Sequence, residues 1–188
     1  VVKTLLKDRG NLLVIAGLGA SAWDVTAAGD NDLNFPLWGG MGGAVTVGLG
    51  LALAQPTRSV LVITGDGEML MGLGSLATLA VSTPKNLSVV VLDNERYGET
   101  GSQKTHTAFG VDLVSIAKGC GFCRLHIVHS ENQLSLLKED IHKMNGCLFS
   151  TIKISNTPVD LILPPRDGTE LKNRFRKKIL GKLAMHQN

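Results

Sequence analysis

Asp66 and Asn94 stand 28 residues apart, each where a run of aliphatic residues gives way to polar ones. A carboxylate and an amide oxygen are hard ligands, suited to Mg²⁺ or Ca²⁺. Gly65 and Gly67 flank the carboxylate and leave the main chain bare just before a helical stretch beginning near Glu68. Free N–H groups and the helix dipole at such a start attract phosphate. Together these residues form a clamp for a metal and a diphosphate. The clamp needs two scaffolds, Val60-Leu-Val-Ile-Thr-Gly-Asp-Gly67 and Val89-Val-Val-Leu-Asp-Asn94. Both have the pattern of buried parallel strands whose carboxyl ends open into one crevice.

Gly65-Asp-Gly67, 25 intervening residues and Asp93-Asn94 resemble the motif of the thiamine diphosphate (ThDP) enzymes. The resemblance implies a metal held by Asp66, Asn94 and the main-chain carbonyl of Arg96. Asp93 stands where that family usually has a first Asn, a departure that leaves the ligating position intact. Gly65, Gly67 and Glu68 are then cofactor-binding. The Glu68 side chain is expected to turn outward, because a carboxylate suits the helix dipole but repels phosphate.

Upstream, Leu12 to Ala16 reads as a first strand, followed by the G-x-G-x-x-A string Gly17 to Ala22. Such a turn invites a dinucleotide reading, but Ala27-Ala-Gly-Asp-Asn31 stops the helix after about two turns, too short for that crossover. The ThDP resemblance instead places this turn beside the cofactor, with Ser21 as its hydrogen-bonding residue. Leu37-Trp-Gly-Gly-Met-Gly-Gly43 resembles the turn that supports the cofactor's bent shape. Met41 is then the wedge, and the Gly39 carbonyl accepts from the aminopyrimidine. Gly48 and Gly50, inside the next helical run, point to close packing.

Glu68 to Ser82 carries apolar residues at helical spacing and reads as one crossover helix, stopped by Thr83-Pro-Lys-Asn86. The segment Glu95 to Thr107 is long, polar and without periodicity, as functional loops are. Leu92-Asp-Asn-Glu95, Thr100-Gly-Ser-Gln-Lys-Thr105 and Val111-Asp112 resemble the corresponding pieces of phosphonopyruvate and sulfopyruvate decarboxylases. Pyruvate decarboxylases carry a catalytic Glu six residues after the metal Asn, where this chain has Thr100. Gln103 and His106 are the candidates for meeting substrate or moving a proton. Downstream, helices are expected over Val111 to Lys118 and Glu131 to Met144, the latter capped by Ser130. Strands are expected over Arg124 to Val128 and Leu148 to Ile154. Cys120-Gly-Phe-Cys123 has redox or zinc spacing but no second pair, and is read as two buried thiols. The basic tail from Arg166 reads as a solvated helix face.

The 188 residues, 44% hydrophobic with 4% aromatics and 22 glycines, suit one aliphatic α/β domain. A formal charge of +3 without an aromatic-basic platform argues against nucleic acid, and no apolar run reaches membrane-spanning length. Three cysteines make no disulfide scaffold, and no cleavable signal is visible, so a cytoplasmic setting is expected. The chain opens at Val1 rather than methionine, leaving its native start open. The expected fold is a doubly wound, mainly parallel sheet of about six strands with helices on both faces.

ThDP enzymes bind their cofactor between two domains, and this chain matches only the metal-diphosphate half. The resemblance therefore implies a pyrimidine-binding, α-type partner subunit supplying the activating Glu, a small 2-oxo acid substrate, and a homo- or hetero-oligomer. The likeness is greatest to the β subunit of sulfopyruvate decarboxylases. A carboligase or oxidoreductase subunit and a non-enzymatic ThDP-binding module are the alternatives. The face around Trp38, Met41 and Leu49 is expected to be covered by another chain.

Overall fold

The computed structural model describes residues 1–157 and 161–185. Its main sheet has six strands, all parallel, in the order β2-β1-β3-β4-β8-β7. These are β1 (Leu13–Ala16), β2 (Asn34–Pro36), β3 (Val60–Gly65), β4 (Leu87–Asp93), β7 (Arg124–Val128) and β8 (Leu148–Lys153). A small antiparallel pair, β5 (Arg96–Tyr97) and β6 (Gln103–Lys104), lies within the polar loop. Every residue of β1 and β4 is buried, as expected for strands covered on both faces.

The alternation of the strands divides the apolar side chains between two layers. Leu13, Ile15, Val60, Val62, Val89 and Val91 face α3 (Ala44–Ala54), α5 (Ser75–Ser82) and α6 (Leu113–Cys120). Val14, Leu61, Ile63, Val90 and Leu92 face α1 (Val2–Leu6), α2 (Ala20–Ala27) and α7 (Glu131–Ile141). The doubly wound architecture expected from the sequence is the one adopted. Among the described residues no helix is long and apolar enough to cross a membrane.

Local signals set the helix ends. Ser130 and Gln133 form a reciprocal capping box at α7. Asp112 accepts hydrogen bonds from the amides of Val114 and Ser115, so its motif position caps α6. The expected single helix from Glu68 to Ser82 is two: α4 (Asp66–Met71) and α5, separated at Gly72 to Gly74. The break has a steric cause, because a Cβ on Gly72 would lie 2.1 Å from the Gly42 carbonyl oxygen. Main chain must approach main chain there.

Three further expectations are corrected. Gly48 does pack closely, since a Cβ would meet Val62 at 2.2 Å, but Gly50 faces open space. The basic tail is not merely solvated. In α8 (Gly168–Leu180), Arg174 makes a bidentate pair with Asp30 at 2.7 Å, and the Phe175 ring lies 5.2 Å from that of Phe35. The helix thus covers β2, while Lys172, Lys177 and Lys178 stay exposed. Cys120 is half-buried and Cys123 exposed, both free, rather than a buried pair.

Candidate functional site

In this strand order the chain leaves β1 toward β2 and returns across it to β3, so the sheet's winding reverses between β1 and β3. The loops leaving those two strands diverge, and ligands of open α/β sheets bind in the crevice so formed. A cavity of about 460 Å³ lies at these carboxyl ends. Leu18 to Ser21 with Trp23 and Asp24 line it from beyond β1, Gly65 to Glu68 from beyond β3, Asn94 and Arg96 from beyond β4, and Ile154 from beyond β8. Residues distant in sequence meet because parallel strands end together.

Asp66 is 1% exposed and opens α4. Its Oδ2 accepts from Thr105 Oγ1 and from Thr107 Oγ1. Both side-chain bonds fall on that one oxygen, leaving Oδ1 for a cation. Thr107 Oγ1 also lies 2.8 Å from Asp93 Oδ1, so its single proton is shared between two acceptors and serves one carboxylate at a time. Lys153 Nζ closes the set at 2.8 Å from Asp93 Oδ2 and 2.7 Å from Glu95 Oε1. The strand register pairs Asp93 with Lys153, which explains how an acid is tolerated where the related motif has Asn. Asn94 Oδ1 accepts from the Arg96 amide at 3.0 Å, tightening the turn that brings Arg96 to the cavity wall.

Burial raises the Asp66 carboxyl above its ordinary range, and the Asp93 charge adds to the rise, while the threonine hydrogen bonds oppose it. A carboxyl whose folded pKa lies above its unfolded value stabilises the fold below the unfolded pKa and loses that contribution as pH rises through the folded pKa. A bound cation reverses the loss by stabilising the carboxylate. Mg²⁺ is therefore expected to raise the melting temperature more at pH 7 than at pH 5 in scanning calorimetry. Equal shifts would contradict a cation on Asp66.

Glu68 departs from expectation most. It is 3% exposed and turns inward, where Thr64 Oγ1 donates to its Oε2 at 2.7 Å while Oε1 has no hydrogen-bond partner. Burial raises its pKa, and the Thr64 hydrogen bond, with the nearby main chain of Gly42, Ala44 and Leu18, offsets part of that rise without placing a donor at hydrogen-bond distance from Oε1. The expected outward turn is not seen: the side chain fills the space against the β1 turn, between Thr64 and Gly17. A Cβ on Gly17 would lie 1.7 Å from Glu68 Oε2, and one on Gly19, at φ +81°, would lie 3.2 Å from the Glu99 carboxylate. The glycines of the G-x-G string make room for two carboxylates.

Ser21 is 2% exposed and lines the cavity, as does Met41 at 38%. Gly39 lies on the exposed part of the same turn, outside the lining. Gly67 is confined by the Tyr97 ring, which a Cβ at this position would meet at 2.6 Å. Gln103 is exposed and engaged with Thr100, accepting from its hydroxyl at 3.0 Å and donating to its carbonyl at 2.8 Å. His106 is exposed as well, and neither residue lines the cavity. Glu99 and Thr100 do. Thr105, Thr107, Lys153 and Glu99 are site residues that sequence reasoning does not single out. Thr105 caps, and Thr107 lies within, the 3-10 turn His106–Phe109, and that turn, which no sequence periodicity announces, brings both hydroxyls to Asp66.

Trp38, Met41, Val47 and Met71 are exposed apolar residues, whereas Leu49 is 8% exposed and belongs to the core. The uncovered face thus runs through Val47 and Met71 rather than Leu49. The three residues expected to hold a cation, Asp66, Asn94 and Arg96, all line the cavity and would offer oxygen alone, from a carboxylate, an amide and the main chain. That set fits Mg²⁺ or Ca²⁺ completed by phosphate oxygens, and the volume fits a cofactor-sized ligand.

The profile of the thiamine pyrophosphate enzyme C-terminal TPP binding domain matches residues 19–149. The β subunit of sulfopyruvate decarboxylase from Methanocaldococcus jannaschii is 35% identical over 185 residues, 95% of this chain and 95% of that one. Phosphonopyruvate decarboxylase from Streptomyces viridochromogenes is 43% identical over 164 residues, which cover 87% of this chain and 41% of that protein. The crystal structure of benzoylformate decarboxylase from Polynucleobacter necessarius superposes with a TM-score of 0.68 at 20% identity, covering 87% of this chain and 33% of that one. At that identity the likeness speaks for the fold alone.

Proposed function

We propose, from the premise that the chain belongs to the thiamine pyrophosphate enzymes as their C-terminal TPP-binding domain, that it is the metal-diphosphate subunit of a two-chain 2-oxo acid decarboxylase. The observation that carries this is the end-to-end correspondence with a β subunit, 95% of each chain. Chemistry that needs two halves is then divided between two chains.

ThDP, when bound, supplies the electron sink that lets a 2-oxo acid lose CO₂ and leave as an aldehyde. The residues of this chain bind and orient. Asp66, Asn94 and the Arg96 carbonyl hold Mg²⁺, and the main chain at Gly65, Gly67 and Glu68 faces the diphosphate. Buried Glu68 props the β1 turn from below. Ser21 and Met41, on the cavity wall, would hydrogen-bond and pack against the cofactor when bound, and the Gly39 carbonyl, on the exposed part of the same turn, would reach it from outside the present lining. An α-type partner covers Trp38, Met41, Val47 and Met71, excludes water and contributes the Glu that activates the pyrimidine.

For the proton delivered to product, Glu99 is the group already on the cavity wall. His106 and Gln103, on the exposed loop, meet substrate only once the partner closes over them. In the assembled complex Glu99→Gln is expected to lower kcat about 100-fold, a general-acid effect. His106→Ala should cost less. The reverse order, measured as aldehyde release, would assign the proton to His106.

The substrate carries a small acidic head group, with sulfopyruvate and phosphonopyruvate the first candidates by relationship. A panel of these two and pyruvate, assayed with the complex, ThDP and Mg²⁺, tests the assignment. Turnover of the first two well above pyruvate supports it. Preference for pyruvate, or carbon-carbon bond formation without CO₂ release, would refute it.

A further inference from the structure

A second concave site lies at the opposite end of the sheet, where β1 and β3 begin. The cleft has a volume of about 750 Å³ and is walled by the segment after α1, the turn before β3 and the carboxyl half of α7. Four cations line it, Lys7, Arg9, Arg58 and Lys138, against two acids, Asp8 and Glu139. Among the described residues none of the four cations has a carboxylate within 4.0 Å. An excess of unpaired positive charge therefore faces one cavity.

Arg9 is the informative member. Its guanidinium is held by uncharged oxygens: Asn34 Oδ1, the Leu12 carbonyl at 2.7 Å and the Leu33 carbonyl at 3.4 Å. Its Nε is buried and has no partner. Burial lowers its pKa to about 10, the mark of a desolvated cation without a counter-charge. Arg9 is half-buried, and among the described residues no carboxylate lies within 4.0 Å of this partly desolvated cation. The hydroxyls of Thr4, Thr57 and Ser59 add hydrogen-bond donors to the walls, while that of Ser135 is spent on the Glu131 carbonyl. Among the described residues no Phe, Tyr or Trp lines the cleft, so they offer no broad stacking surface of the kind a nucleobase would use.

The geometry points to a binding site for a compact polyvalent oxyanion, of the phosphate or phosphomonoester class, in the cleft between Arg9, Arg58 and Lys138. The site is independent of the ThDP crevice, from which the full length of the strands separates it. An anion there neutralises Arg9 and ties α1, the turn before β3 and α7 together, so occupancy stabilises the fold by mass action.

The test is scanning calorimetry and titration of the 188-residue chain, alone and with its partner subunit, in inorganic phosphate against chloride at matched ionic strength. ThDP and Mg²⁺ are kept saturating, so that phosphate does not enter the cofactor crevice. The expected result is a saturable rise in melting temperature of about 5–11 °C at 100-fold excess over Kd. The exposed-side double variant Arg58→Ala/Lys138→Ala should keep its melting temperature in chloride and lose phosphate affinity at least about 10-fold, from two lost charge-assisted contacts. Glycerol phosphate in a parallel arm separates sources: tighter binding than inorganic phosphate identifies a phosphorylated metabolite, and weaker binding identifies the free ion. No response beyond chloride, or a double variant that binds as well as the parent, would overturn the site.

Discussion

Asp66→Asn is expected to reduce Mg²⁺-dependent ThDP affinity by more than about 1000-fold, since even neighbours of a metal ligand cost 10- to 100-fold when changed. Asparagine keeps the size and can still accept from Thr105 and Thr107, so folding should survive. It also removes the Asp66–Asp93 repulsion that raises the carboxyl pKa. The variant without cation should therefore melt no lower than the parent while binding almost nothing. Isothermal titration with ThDP at fixed Mg²⁺ reads the loss. Retained affinity with a normal fold would move the metal away from Asp66.

Gly72→Ala should be the most damaging single methyl group outside the crevice. The new Cβ would lie 2.1 Å from the Gly42 oxygen and 2.9 Å from its carbon, and no rotamer relieves a clash between two main chains. Gly42 itself sits at φ +93°, so the turn carrying Met41 has little freedom to retreat. A cost of about 3 kcal/mol is expected from overpacking, and at this chain length that lowers the melting temperature by about 6–12 °C. ThDP binding should weaken with it, because the displaced turn is the one beneath the cofactor. Gly50→Ala is the control. It lies inside α3 with nothing within 4 Å, so helix propensity predicts a gain of about 1 kcal/mol. Equal behaviour of the two variants would show that the Gly42–Gly72 contact does not constrain the turn.

The strands, their parallel pairing and the crevice are legible because they follow from local pattern: aliphatic runs ending at Asp66 and Asn94 can be read residue by residue. The helix break at Gly72 carries a local signal as well, two glycines inside a helical period, but the reason for it is the Gly42 carbonyl 30 residues away. Glu68 misleads for the same cause. A carboxylate after Gly-Asp-Gly looks repelled by phosphate until the β1 turn, with Gly17 cut away to receive it, is placed above it. Lys153 is invisible in sequence because its role depends on the β4–β8 register, which no single segment encodes. The α8 docking through Arg174 and Phe175 likewise joins residues 144 and 140 positions from their partners Asp30 and Phe35.

The division of one active site between two chains is tested most directly by the rate of CO₂ release from sulfopyruvate with ThDP and Mg²⁺. This chain, the pyrimidine-binding chain and their mixture are measured at equal concentration. The expected result is turnover by the mixture and none above background by either chain alone, because the crevice holds the metal and diphosphate while the activating carboxylate belongs to the partner. Decarboxylation by this chain alone at the rate of the mixture would contradict it.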